Sequence, residues 1–169
     1  MVSQHAEWLL HELNSEYAAT RKCLERFPHD KFSYKPHPKS MEMGYLAVLV
    51  AAMPLWLKYI GEDGEIDLTK FARPDIKSTQ DLVDYFEQNM GEARRVLAAL
   101  SDEDLEKEFT LKRDGQELYK VKRRIDLPVT LNHWVHHRGQ LTVYMRLNDI
   151  DVPSVYGPSA DDRSFSAPK

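Results

Sequence analysis

A single cysteine, Cys23, is present, which excludes an intrachain disulfide and any paired-cysteine metal or redox motif. That usage fits a reducing compartment, and the cytoplasm is the expected location. A lone thiol on a helix flank, with no partner beside it in the chain, reads as structural rather than nucleophilic. Positive charge is not in excess either. The 23 Lys and Arg residues against 27 Asp and Glu leave a formal net charge of -4, which argues against the cationic face of a nucleic-acid-binding domain. The one dense basic run, Lys120, Lys122, Arg123 and Arg124, reads as a solvated edge. No apolar run approaches the roughly 18 residues of a membrane span, and the mostly polar stretch from Val2 to Glu7 offers no secretory leader. Neither nucleic acid nor membrane is therefore an expected partner. Also missing are a phosphate-binding glycine loop, a nucleophile elbow and the Glu-x-x-His pairs of carboxylate-bridged di-iron bundles.

What the chain does have is helical periodicity. A chain of 169 residues can bury about 70% of its unfolded surface around one core, so a single domain over 1–169 is expected. Val2, Ala6, Leu9, Leu13, Tyr17, Leu24 and Phe27 recur at spacings of three, four or seven and predict a first helix over about 2–27, ended by Pro28. Tyr45, Leu46, Leu49, Met53, Trp56, Leu57 and Ile60 predict a second over about 41–60, with Ser40 as its N-cap, a kink at Pro54 and a stop at Gly61. Ser78 caps a third over about 79–101, whose buried face is Leu82, Phe86, Ala93, Leu97 and Leu100. Phe109 and Leu111 alternate before Asp114-Gly115, and Tyr119 and Val121 after it, which predicts a small hairpin. Pro128 suits the first turn of a fourth helix over about 128–148. A tail follows over 149–169; its first half is expected to pack and its last residues to fray. The expected fold is all-α: an antiparallel four-helix bundle with a small β-hairpin between helices three and four.

The residues able to carry chemistry lie on the fourth helix. His133 and His137 are four apart, which stacks their β-carbons about 6 Å apart and lets two imidazoles converge on one metal ion. The competing reading is a pair of core histidines satisfied by hydrogen bonds. Phased from His133 at about 100° per residue, the arc facing the core contains His137, Gln140, Leu141, Tyr144 and Leu147, while Arg138, Thr142 and Arg146 point away. Trp134 and Met145 fall on the flank, either as a dimer patch or packed against a neighbouring helix.

The runs Asn132-His-Trp-Val-His-His-Arg-Gly-Gln-Leu141, Tyr144-Met-Arg-Leu147 and Val152-Pro-Ser-Val-Tyr-Gly-Pro158, with Lys39-Ser40 through Pro54-Leu-Trp56 upstream, resemble the DinB/YfiT-like family over nearly the whole chain. The resemblance implies an antiparallel four-helix bundle, a homodimer, and a divalent metal such as zinc or nickel held by three histidines. It also implies activity like that of thiol S-transferases or thiol-dependent isomerases, with a thiol or other small molecule as ligand. Two of the three metal ligands carry over, as His133 and His137. The third falls on Leu49, which cannot coordinate. Tyr45, one turn away, and Gln140 and Tyr144 on the histidine arc are candidates to line the pocket or hold a bound water. Two readings stay open: an atypical or degenerate metal-site enzyme, and a non-catalytic bundle that dimerises or binds a small ligand.

Overall fold

A computed structural model describes residues 2–71 and 74–164. The chain is mostly helical, with five α-helices and a small three-stranded sheet. The helices are α1 (Gln4–Glu25), α2 (Met43–Lys58), α3 (Thr79–Leu97), the short α4 (Asp102–Glu106) and α5 (Arg123–Arg146). The strands are β1 (Glu65–Asp67), β2 (Glu108–Arg113) and β3 (Gln116–Lys122). Among the long helices, α1 packs on α3 and α5, and α2 packs on the same two. The expected hairpin is present as β2 and β3, turning through Asp114 and Gly115 at φ 52° and 73°. The all-α expectation is corrected by β1, which pairs in parallel with β2. A strand of three residues carries too little periodicity to be read from sequence. The expected fraying of the tail concerns residues 165–169, outside the described residues.

Helix boundaries differ from the sequence expectation for local reasons. Helix α2 begins after Glu42, not Ser40, and is capped by backbone: the Met43 and Gly44 amides donate to the Tyr34 and Phe32 carbonyls, each at 2.8 Å. A β-carbon at Gly44 would sit 2.1 Å from the Phe32 ring, so only glycine admits this close approach. The helix continues through Pro54 and then widens into a π-helical turn, Tyr59–Asp63. It ends at Gly64, φ 76°, rather than at Gly61, which instead packs against Val96 and Leu100. Ser78 caps α3 as expected, accepting from the Asp81 amide at 3.1 Å. Helix α5 starts at Arg123, five residues before Pro128. Arg123, expected on a solvated edge, is buried, and its guanidinium donates to the Gly61 carbonyl at 2.5 Å. The β3 strand thus runs straight into α5, and the first helical residue satisfies an end carbonyl of the π turn.

The continuous helical stretch Met43–Asp63 is long and apolar enough to cross a membrane by length and composition, contrary to the expectation that no segment would qualify. Most of its apolar window is buried inside the fold. A helix packed on several sides is apolar nearly all round, so the core helix of a small domain passes the same test as a span.

The phase of α5 is the largest correction. Its buried side chains are Leu127, Thr130, Leu131, Trp134, His137, Arg138, Leu141 and Met145. The spacing 127, 131, 134, 138, 141, 145 is a strict heptad seam, rotated away from the arc phased on His133. Trp134 and Met145 are therefore core residues, not a dimer patch, and Trp134 packs on Phe86 with the rings tilted at 41° and 6.1 Å between centroids. Leu147, expected inside, is exposed, and so is His133. Arg138, expected outside, is 2% exposed.

Candidate functional site

His137 sits at the edge of the α5 seam and is buried, while His133, one turn earlier, is exposed. The helix nonetheless brings their rings to 4.4 Å between centroids, with the two Nε2 atoms 2.6 Å apart. Gln140, one turn further on, places Oε1 2.8 Å from His137 Nδ1. With Gln140 accepting from Nδ1–H, His137 Nε2 carries the lone pair and His133 Nε2–H donates to it. The pair is then a closed hydrogen-bonded chain along one helix. Partial desolvation of the rings pushes both imidazoles below the usual histidine range, reinforced for His133 by the neighbouring histidines and opposed for His137 by its bond to Gln140.

Whether these residues fit a metal is a question of donors and spacing. Two nitrogens bound at about 2.0–2.1 Å to one tetrahedral ion lie about 3.3 Å apart, so the pair would have to open by roughly 0.7 Å and release the shared proton. A third donor is the larger difficulty. Among the described residues no group of three or more His, Cys, Asp or Glu side chains could hold a metal ion. His37 Nδ1 accepts from the Lys39 amide at 3.1 Å, and His5 and His11 are exposed on α1. The residues present therefore do not supply the three protein ligands of a catalytic zinc-type site.

The other sequence candidates separate into two places. Tyr144 turns its hydroxyl to the Met41 carbonyl, 3.2 Å away, with its ring edge-on to Tyr34; it ties α5 to the segment before α2. Tyr45 and Leu49 line a cleft of about 310 Å³. The walls are Val48, Ala52 and Trp56 from α2, Tyr85 from α3, Leu68, Thr69, Phe71 and Pro74 after β1, and Arg113 from β2. Trp56 joins the two places, since one side of it forms the cleft with Phe71, 5.8 Å between centroids, and its ring meets His133 edge-on at 6.3 Å.

The rim of the cleft is held by a hydrogen-bonded clasp. The Asp67 carboxylate accepts from the Thr69 hydroxyl at 2.6 Å, the Thr69 amide at 3.1 Å and the Gly115 amide at 3.0 Å. These bonds, the Thr69 hydroxyl foremost, pull its carboxyl down to about 2. The clasp fastens the hairpin tip to the segment after β1 and so fixes Arg113 beside Thr69.

Sequence reasoning missed one buried polar network. Arg138 Nη2 lies 2.5 Å from Glu16 Oε2 and 3.1 Å from the Tyr156 hydroxyl, and Nη1 donates to the Glu16 carbonyl and to Thr20 Oγ1. Tyr156 closes the ring by donating to Glu16 Oε1 at 2.9 Å. The signal was available: Glu16 interrupts the seam 6, 9, 13, 16, 20 of α1 just as Arg138 interrupts that of α5, with the opposite charge. The cleft walls contributed by Phe71, Pro74, Tyr85 and Arg113 were missed as well, because they come from three separate segments.

Comparison with known proteins agrees with this architecture. A DinB-like protein from Bacillus subtilis has the same fold at a TM-score of 0.69, with 22% identity over 92% of this chain and 99% of that one. A DinB-like protein from Bacillus cereus matches at 0.67, with 25% identity over 89% and 97%. A DinB-family structure from Exiguobacterium sibiricum matches at 0.67, with 17% identity over 90% and 97%. No curated protein matches. The sequence profile of the DinB family fits residues 1–165, and the chain belongs to that family.

Proposed function

We propose that this protein is an atypical member of its family that binds a small organic molecule in the cleft between α2, α3 and the hairpin tip. The observation that carries the reading is the cleft itself: about 310 Å³, lined mainly by aliphatic and aromatic side chains, with Leu49 on its wall. That volume lies in the range of small-molecule sites, which are concave and mostly apolar with a few fixed polar groups. The packing of α1 and α2 each against α3 and α5 supports an antiparallel four-helix bundle as the scaffold. Cys23 is buried, which pushes its thiol up to about 11; an inert thiol of this kind fits a cytoplasmic protein without assigning it a role. The exposed Ile125, Val129, Val143 and Leu147 along α5 are the surface that would suit a homodimer.

The test is a titration with 1-naphthamide, a neutral aromatic probe, followed by the indole N–H resonances in a two-dimensional NMR spectrum. Saturable binding that moves the Trp56 signal and not that of Trp8 is the expected result. Binding should weaken at least ten-fold in Val48→Trp, which fills the cleft from a half-buried position. Failure of neutral and charged aromatic probes alike to bind would end the reading.

A second reading, a metal-site protein related to thiol S-transferases or isomerases, rests on the convergence of the two Nε2 atoms at 2.6 Å. With two imidazoles and no clustered third donor among the described residues, zinc or nickel is expected to bind no tighter than the micromolar range. It should be lost from His137→Ala in elemental analysis after equilibrium dialysis against a known free-metal concentration. About one ion per chain bound by the wild type and absent from the variant would establish the site despite Leu49, and would call for assays with thiol cosubstrates.

A further inference from the structure

The geometry points to an anionic aromatic molecule, a planar ring bearing a carboxylate or similar acid, as the class of ligand the cleft selects. This rests on the small-molecule reading and adds the sign of charge and the shape.

Shape follows from the walls. Tyr45, Trp56, Phe71 and Tyr85 are four aromatic side chains among the eleven described residues that line the cleft. Trp56 and Phe71 are inclined at 50° with their centroids 5.8 Å apart, and Tyr59 backs Phe71 edge-on at 5.8 Å. A ring entering such a corner finds both faces and edges, the offset and T-shaped contacts that aromatic groups prefer. Aliphatic Val48, Leu49, Ala52 and Leu68 close the remaining sides.

Sign follows from what is charged there. The chain carries four more acidic than basic residues, yet Arg113 is the only ionised side chain lining the cleft among the described residues, and no acid lines it. Of the neighbouring acids, Glu65 is paired with Lys112 at 2.6 Å, and Asp67, though ionised, has both oxygens engaged by the Thr69 and Gly115 donors and does not line the cleft. Arg113, on the exposed hairpin tip, has no ion-pair or hydrogen-bond partner for its side chain among the described residues, while Lys112 beside it does. Its guanidinium presents planar paired donors suited to a carboxylate, and the Asp67 clasp holds the strand end that carries it. An apolar slot with one available cation on its rim binds the body of an aromatic acid by burial and its acid group at the mouth.

The experiment compares 1-naphthoate with its neutral isostere 1-naphthamide by isothermal titration and by the Trp56 indole resonance. For a probe of about 13 non-hydrogen atoms the expected dissociation constant is in the millimolar range or tighter. Naphthoate should bind about five-fold tighter than the amide at low salt, with the ratio shrinking as salt screens the rim charge. In Arg113→Gln, an exposed change that leaves the core untouched, the ratio should fall to about one while amide binding persists; Arg113→Lys should restore part of it. Equal binding of the two probes by the wild type, or an unchanged ratio in Arg113→Gln, would overturn the inference and leave small-molecule binding standing. Absence of binding by either probe would overturn both.

Discussion

Arg138→Met is expected to cost about 3–5 kcal/mol of folding stability, the usual consequence of leaving one member of a buried ion pair without its partner. Glu16 and Arg138 expose only 7% and 2% of their side chains. Removing the guanidinium strands the Glu16 carboxylate in the core with one remaining side-chain donor, the Tyr156 hydroxyl. Thr20 Oγ1 and the Glu16 carbonyl also lose their bonds from the guanidinium. The effect reaches beyond the helix pair, because Tyr156 anchors the segment after α5 to the same network. Urea unfolding of Arg138→Met, Glu16→Met and the double variant measures it. The double variant should be more stable than Arg138→Met alone, since removing both charges also removes the desolvation penalty. A single variant within about 1 kcal/mol of wild type would mean that water reaches the pair and that the network is not closed in solution.

Trp134→Ala should cost about 3–5 kcal/mol, as large-to-small changes of a fully buried aromatic do. Trp134 is 1% exposed and lies against Phe86 at the centre of the α5 seam. Trp134→Phe should cost less than about 2 kcal/mol, because a ring still fills most of the space and the indole Nε1, which has no hydrogen-bond partner among the described residues, is removed with it. Thermal or urea unfolding of both variants distinguishes the packing seen here from a surface role. Were Trp134 part of a dimer face, alanine would change the sedimentation of the protein at nearly constant monomer stability, and the rotation of α5 described above would be wrong.

These two residues show how much of the fold was legible in the sequence. The four long helices and the hairpin could be read because each rests on a local signal: apolar spacing, the Ser78 cap, the Asp114-Gly115 turn. The phase of α5 could not be read from His133. The histidines are the conspicuous residues of that helix, yet the seam belongs to Leu127, Leu131, Trp134, Leu141 and Met145, and a heptad count started from them would have carried Arg138 inward. Two arginines were expected at the surface, Arg123 because of its place in a basic run and Arg138 because of the phase counted from His133. Each is buried because a long side chain can reach carbonyls or a carboxylate on another helix, and only the packed structure shows which.

The candidate site divides in the same way. The sequence by itself determined that His133 and His137 stack one turn apart, because 3.6 residues per turn leave no other choice. It determined that Leu49 offers no donor, and it placed the chain in its family. The tertiary structure alone decided that the pair is closed by Gln140, that Tyr144 is committed to Met41, and that α2, α3, the segment after β1 and the tip of β2 enclose a cleft with Arg113 at its mouth. The physical reason is range. Helix phase and turn chemistry act over a few residues, whereas a cleft wall and the partner of a buried charge are set by how distant segments pack, and no local pattern encodes which distant segment will arrive.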